Sequence, residues 1–353
     1  MTMANMIFRT TRKANSSLLA FLLCAAPLGF AQSGPSAGGP SNPQSAPQEP
    51  PNQAPQLAPQ SVPQDTREAS ASEATGVLLA RLAQAAANLE YRGLVTFEHV
   101  GSMETLEVVH GIRNGEQVER IRYLTGSPRE KVSRTGGDEC RLSGSVFPSS
   151  GLLSAAGLQN VQSNYAFLIR GEERVADRET IVLEARPRDM HRFGMVISVD
   201  KETGLPLKSM LIAPAGRVLE RFQFVELDLK PVTDDELKPH SPLAQPDTGS
   251  DAASCANVES RWRLGWAPSG FKPVAVQALK DGQMLVFSDG LSAFTVFVQQ
   301  LPEMNYTGQA VRGATVAYMD HIDVNGARYT VTVVGEIPDN TAQLVAKAIT
   351  EAN

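Results

Sequence analysis

Tyr91-Arg92-Gly93-Leu94-Val95-Thr96-Phe97-Glu98-His99-Val100 alternates with a period of two. Gly93, Val95 and Phe97 fall on one side and Leu94, Thr96 and Glu98 on the other, the pattern of a half-buried strand. Leu106 and Val108 continue the apolar side, and Asn114-Gly115 then interrupts it. Asn-Gly between two such runs specifies a tight hairpin, because both central positions need positive φ. The return run, Gln117 to Thr125, places Ile121 and Tyr123 on one side and Arg120 and Arg122 on the other. Gly136-Gly137 is expected to fold a second hairpin, from Arg129–Thr135 back through Asp138–Leu142. Nothing of helical crossover length separates these strands, so a parallel α/β sheet is excluded in favour of an antiparallel ladder.

Upstream, residues 1–31 read as an export signal. Arg9, Arg12 and Lys13 precede an apolar stretch, Leu18 to Leu28, and Gly29-Phe30-Ala31 supplies small residues for cleavage. That stretch is well short of the roughly 20 residues that span a bilayer. Cys24 follows Leu23, where lipidation requires a small residue. The mature chain is therefore expected to be soluble and outside the cytoplasm. Residues 32–74 read as a disordered tether. Gln32 to Asp65 holds nine of the 23 prolines and no aromatic residue, too little apolar area to offset ordering.

The remaining length exceeds what one core normally supports. Pro231–Ala253, rich in proline and acids and without alternation, divides it into domains at 75–230 and 254–353, with 231–253 as linker. The first opens with a helix capped at Ser72, with Leu78, Leu82, Ala86 and Leu89 on one face. Strands at Thr180–Ala185, Phe193–Asp200, Leu205–Ala213 and Arg217–Leu227 complete its sheet, Phe222 and Phe224 sharing a face. The helix is expected on the concave side. In the second domain Asp281-Gly282, Asp289-Gly290 and Asn325-Gly326 mark hairpins between Val274–Leu279, Met284–Ser288, Leu291–Gln299, Thr315–Asp320 and Arg328–Gly335. Pro338-Asp339 starts a terminal helix with Leu344, Val345, Ala348 and Ile349 on its apolar side. The fold class is α+β in two domains.

The charge balance, 32 Lys+Arg against 38 Asp+Glu, lacks the basic surplus that nucleic-acid binding demands. His99, His110, His191, His240 and His321 are scattered singly, without metal-ligand spacing. Phosphate-binding glycine loops are missing too. Gly290-Leu291-Ser292-Ala293-Phe294 lacks the last glycine of a nucleophile elbow. Asp320 and Asp323 beside His321 read as a polar hairpin end. No enzymatic activity, cofactor or metal is expected. Cys140 and Cys255 either pair, closing a loop worth about 4–5 kcal/mol, or remain buried thiols.

Several stretches, in order, resemble the MucB/RseB family of periplasmic regulators of envelope-stress sigma factors. They are Asn88-Leu89-Glu90-Tyr91-Arg92-Gly93, Met103-Glu104-Thr105-Leu106 through Val109-His110, and Leu124-Thr125-Gly126-Ser127-Pro128-Arg129-Glu130 with Arg134 after it. Trp266-Ala267-Pro268-Ser269-Gly270-Phe271, Phe287-Ser288-Asp289-Gly290-Leu291-Ser292 and Val333-Val334-Gly335-Glu336-Ile337-Pro338 follow in the second domain. The resemblance implies a first domain similar to lipoprotein carriers of the LolA/LolB type, an open half-barrel around helices. It implies no catalysis. It implies a partner, the periplasmic part of a membrane anti-sigma factor of the MucA/RseA kind, shielded from regulated proteolysis. Lipid or lipopolysaccharide would release that partner, and association into a homo-oligomer is compatible with this.

On that reading Val95, Phe97, Leu106, Val108, Ile121 and Tyr123 either receive an acyl chain or meet the helix of Leu78 and Leu82. Arg120, Arg122, Arg129 and Arg134 either receive phosphates and partner carboxylates or form a mixed-charge surface with Glu116, Glu119 and Glu130. Movement of the domains would use Pro231–Ala253 as hinge. The alternative function is a lipid or lipoprotein carrier without a regulatory partner.

Overall fold

A computed structural model describes residues 64–99, 101–135, 155–241, 245–246, 259–300 and 306–352. The export signal, most of the tether, the Gly136-Gly137 hairpin and both Cys140 and Cys255 lie outside the described residues.

Helix α1, Gln64–Asn88, precedes four strands: β1 Tyr91–His99, β2 Ser102–Arg113, β3 Glu116–Tyr123 and β4 Arg129–Thr135. Helix α2, Ala155–Asn164, leads into β5 Tyr165–Val175, β6 Arg178–Pro187, β7 Gly194–Asp200, β8 Pro206–Ile212 and β9 Val218–Asp228, and a two-residue β10 follows at Gln245–Pro246. These strands form one ten-stranded sheet in the order β10-β4-β3-β2-β1-β9-β8-β7-β6-β5. Every pair is antiparallel except β10 with β4.

The β2–β3 turn at Asn114-Gly115 has φ of 53° and 82°, as the dipeptide requires. Ala176-Asp177 turns β5 into β6 with φ of 48° and 63°. Nothing in Ala-Asp announces that geometry.

The first-domain helix begins earlier than Ser72, inside the segment assigned to the tether. Leu78, Leu79, Leu82 and Ala83 pack with Tyr165, Leu183, Ala185 and Ile197 of β5–β7. One turn on, Ala85 and Leu89 pack with Tyr91, Val95, Leu106 and Ile121 of β1–β3. Strands lie about 4.8 Å apart, and a helix is only about 10–12 Å across. One helix therefore touches both halves of a ten-stranded sheet only where the sheet curls around it.

The second unit contains β11 Trp262–Leu264, β12 Lys272–Leu279, β13 Gly282–Ser288, β14 Ala293–Gln299, β15 Gly308–Arg312, β16 Thr315–Val324, β17 Ala327–Gly335, α3 Asp339–Lys347 and β18 Ile349–Glu351. Its six-stranded antiparallel sheet runs β12-β13-β14-β17-β16-β15, and β11 pairs with β18. Asn325-Gly326 forms its hairpin with φ of 51° and 78°. At Asp281-Gly282 the glycine serves another purpose. Gly282 is already on β13, paired with Leu279 and Gln299, and a Cβ there would stand 2.0 Å from the Val298 carbonyl oxygen.

Helix α3 buries Thr341, Ala342, Val345 and Ala346 and joins a core of Trp262, Phe271, Phe294, Val296, Val331 and Val333. Leu344, expected inward, is exposed, and Ile349 belongs to β18. The helix ends at its Ala348 cap, so the helical spacing stops before Ile349.

Pro231–Ala253 is not a free linker over its first half. Val232 and Leu237 pack on Val109 and Val118 at the outer face of the large sheet. Side chains of the sheet hold the backbone there. Arg92 donates to the Lys230 and Pro231 carbonyls, Arg113 donates to that of Val232, and Glu90 accepts from the Val232 amide at 3.0 Å. Glu130 accepts from the amides of His240 and Ser241. The segment lacked alternation because the sheet supplies its bonding partners, which leaves 231–241 unsuited to act as a hinge.

Candidate functional site

The six apolar candidates of the first domain form one stripe. Val95 lies opposite Leu106 on one side and Phe224 on the other, Leu106 lies opposite Tyr123, and Val108 opposite Ile121. Val95 and Val108 are wholly buried, and Leu106 and Ile121 nearly so, against Ala85 of α1, Leu89 just after it, and Phe222 and Phe224 of β9. Phe97 and Tyr123 are only partly covered. The stripe is thus a core for most of its length and a surface at one end.

A cavity of about 200 Å³ lies where the end of α1 meets the β7–β8 turn, lined by Arg81, Gln84, Asn88, Leu89 and Thr203 among others. Small-molecule sites run from about 300 Å³ upward, so this cavity is too small to take an acyl chain.

The arginines divide. Arg120 is buried and committed: it donates to the Glu236 carbonyl at 2.6 Å, to Glu130 at 3.1 Å and to Glu107 at 3.0 Å. It is an anchor for the 231–241 segment and cannot double as a phosphate receptor. Burial pushes the Glu130 carboxyl up, but the two backbone amides and Arg120 outweigh it and hold the group below the usual range. Arg122 is half exposed and bidentate to Glu107 at 3.0 and 3.1 Å. Arg129 pairs with Glu104 and lies 3.8 Å over the Tyr123 ring. Arg134 is exposed on β4. Arg129 and Tyr123 therefore stand together at the open end of the stripe, a cation beside apolar surface.

Among the described residues a dense polar cluster lies between the domains, and its central residue, Arg192, was not singled out from sequence. Arg192, in the β6–β7 loop, is buried. It donates to Asp289 in the β13–β14 turn, to the Ser269 carbonyl, and to both oxygens of Asp189 at 3.1 and 2.9 Å. Tyr165 donates its hydroxyl to Asp289 at 3.0 Å, and the Leu291 and Ser292 amides donate to the same carboxylate. The side-chain amide of Asn160 reaches the carbonyls of Gly270 and Asp289 at 3.0 and 2.8 Å.

Gly270, at φ 81°, lies so near Asn164 that a Cβ would fall 2.0 Å from its amide nitrogen. His191 meets Trp266 edge to face and approaches the Thr341 hydroxyl at 3.1 Å. Leu291 inserts into the first domain's core. Burial, then the Asp289 charge, pushes the Tyr165 hydroxyl far above its ordinary range, so it stays a proton donor.

Two stretches noted in the sequence, residues 266–271 and 287–292, supply the second domain's side of this junction. Asp-Gly was legible as a turn. That its carboxylate faces a buried arginine more than ninety residues away was not.

The remaining polar candidates serve structure. Ser292 donates to the Glu336 carbonyl at 3.0 Å, tying the β13–β14 turn to the end of β17. Asp320 accepts from the His321 amide at 2.8 Å. Among the described residues no group of His, Cys, Asp or Glu has the geometry of a metal site, and no helix is long and apolar enough to cross a membrane.

Comparison with known proteins places two family models on the chain, the MucB/RseB N-terminal domain over residues 74–241 and the MucB/RseB C-terminal domain over 256–350. The sigma factor AlgU regulatory protein MucB of Pseudomonas aeruginosa is 33% identical over 291 residues, covering 77% of this chain and 89% of the relative. The sigma-E factor regulatory protein RseB of Escherichia coli K12 is 24% identical over 302 residues, covering 80% and 92%. Among solved structures, the P. aeruginosa MucA/MucB complex is similar with a TM-score of 0.63 at 31% identity, covering 79% of this chain and 99% of that one. MucB in complex with MucA(peri) gives 0.61, also at 31% identity, covering 80% and 99%.

Proposed function

This chain belongs to the MucB/RseB family, and from that membership we propose that it is an exported regulator which holds the periplasmic segment of a membrane anti-sigma factor. Holding that segment shields it from regulated proteolysis, and lipid or lipopolysaccharide releases it. The observation that carries the reading is the similarity, across both domains, to a protein whose structures contain MucA as partner.

The fold is consistent with action by occupancy: two antiparallel sheets locked at a buried junction present one composite surface. Release by lipid agrees with the energetics of the apolar stripe. Burying a leucine side chain contributes about 1.5–3 kcal/mol, and over the stripe the end of α1 presents only Ala85, with Leu89 just after it. An acyl chain of about twelve methylenes contributes about 10 kcal/mol on full burial. Lipid can therefore exchange for the helix along Val95, Leu106 and Ile121, with Arg129 beside the phosphate.

Binding of the anti-sigma segment and of lipid must then weaken one another by the same factor. Titrating the purified chain with that segment, with and without the lipid portion of lipopolysaccharide, tests this. Affinity falling at saturating lipid agrees with the reading, and unchanged affinity removes the release step. A chain that captures lipoprotein from envelope extract but no anti-sigma segment would be a carrier instead.

A further inference from the structure

The loops that lock the domains also carry an exposed apolar patch. Trp266 of the second domain meets His191 of the β6–β7 loop edge to face, with 5.1 Å between ring centres, yet remains 37% exposed. His191 approaches the Thr341 hydroxyl of α3 at 3.1 Å. The Gly265 amide donates to the Ala348 carbonyl at the end of that helix at 2.7 Å. Leu344 lies one turn from both Thr341 and Ala348, outside the buried face of Thr341, Ala342, Val345 and Ala346, and is exposed. Met190, immediately before His191, is 67% exposed. Trp266, Leu344 and Met190 are thus gathered about one imidazole from both sides of the junction.

Exposed cations border the patch. Lys347 lies in the last turn of α3, beside Ala348, and Arg263 lies on β11, two residues before Gly265. Arg188 stands at the start of the β6–β7 loop, where its amide donates to the Asn164 carbonyl at 2.9 Å. Among the described residues none of the three pairs with a carboxylate. The acids on the same elements are engaged elsewhere: Asp189 with Arg192, and Glu351 with Arg261 and Asn325. Asp339 opens α3, about 12 Å along the axis from Lys347. The chain as a whole is acidic, 32 Lys+Arg against 38 Asp+Glu, so the sign reverses locally. Acids farther than about 8 Å are largely screened at physiological ionic strength.

We propose that this patch docks the chain on an anionic bilayer surface, with Trp266, Leu344 and Met190 entering the headgroup layer and the three cations among the lipid phosphates. Tryptophan suits that boundary because it joins an apolar body to a polar N–H. Lysine and arginine suit it too, laying their stems on apolar surface while the charged heads stay in water. Three apolar side chains fall well short of the roughly 800 Å² per partner that a stable protein interface buries. A bilayer, in contrast, holds a few anchors where anionic lipid attracts the cations beside them. Since the residues come from both domains, the patch is complete only while Arg192 and Asp289 keep the junction closed. Docking of this kind needs no anti-sigma partner.

The chain's two tryptophans make docking readable. Trp262 is buried and already emits at short wavelength, so a blue shift on adding vesicles reports Trp266. With the full-length mature chain, vesicles of mixed phosphatidylglycerol and phosphatidylcholine are expected to shift the emission and to sediment the protein. Vesicles of phosphatidylcholine alone are expected to do neither. Lys347→Gln should weaken partition about fivefold, the worth of one cation near an anionic surface, and Leu344→Gln should weaken it as well. Both side chains are exposed, so folding is retained. Equal binding to the two kinds of vesicle, or sedimentation without a shift in emission, overturns the proposal. The latter outcome means that lipid is taken up elsewhere, as along Val95 and Leu106, and leaves the release reading intact.

Discussion

Replacing Arg192 by methionine removes the cation around which the domain junction is built while keeping much of its packing volume. Breaking a buried ion pair from one side costs about 3–5 kcal/mol. The lower end applies here, because Asp289 keeps three other donors, the Tyr165 hydroxyl and the Leu291 and Ser292 amides. The Ser269 carbonyl loses a donor as well, adding about 1 kcal/mol. A loss of about 3–4 kcal/mol is therefore expected. For a unit of this size each kcal/mol moves the midpoint by about 2–4 °C, so the change is on the order of 10 °C.

The loss should appear as decoupling. Calorimetry of the parent chain is expected to give one transition, and that of Arg192→Met two. Asp289→Asn alone is expected to cost less, since Asp189 still engages the guanidinium. The double variant should fall short of the sum of the singles by at least about 1 kcal/mol, the coupling of groups in contact. A loss under about 1 kcal/mol for Arg192→Met, with one transition retained, would refute the view that this ion pair locks the domains.

Glu130→Ala removes the acceptor shared by Arg120, His240 and Ser241 and should expose residues 231–241 to limited proteolysis while both sheets stay protected. In the unaltered chain Glu130 sits below its ordinary value of 4.5. Its contribution is thus complete above that value and lost as pH falls through the lowered one; proteolysis that is no faster in acid than at neutrality would contradict this. Leu79→Ala, in the wholly buried face of α1, should cost about 2–5 kcal/mol in denaturant unfolding. If lipid exchanges with α1, the same variant binds the lipid portion of lipopolysaccharide more tightly than the parent, and equal or weaker binding argues against exchange. Gly93→Ala drives a Cβ to 2.3 Å from the Glu226 carbonyl and 2.8 Å from Phe224, and a loss of about 1–3 kcal/mol is expected, read by thermal melting.

What was legible in the sequence was whatever a short window encodes. Asn114-Gly115 and Asn325-Gly326 declare their turns because few residues tolerate positive φ at two successive positions. The alternation of Tyr91 to His99 gave both the strand and its buried face. Strand β5 escaped notice because Gly171, at φ 134°, interrupts its register after Ile169 and breaks the period. The early start of α1 was hidden by proline-rich sequence immediately before it.

The candidate site was legible in part. The apolar stripe was found, together with the alternative that it packs on α1, and the buried side chains favour that packing for all but Phe97 and Tyr123. Arg120 was grouped with the surface arginines because nothing near it in sequence says that residues 236–240 cover it. The Arg192–Asp289 junction was invisible for the same reason. A buried charge pair is a tertiary event, and each member alone reads as an ordinary loop residue.

The most direct test mixes the purified chain with the periplasmic segment of its cognate membrane anti-sigma factor and follows cleavage by the protease that normally cuts it. Cleavage slowing in proportion to occupancy, and recovering when lipopolysaccharide is added, is the outcome expected of a shield. Cleavage at an unaltered rate when the segment is saturated would contradict it.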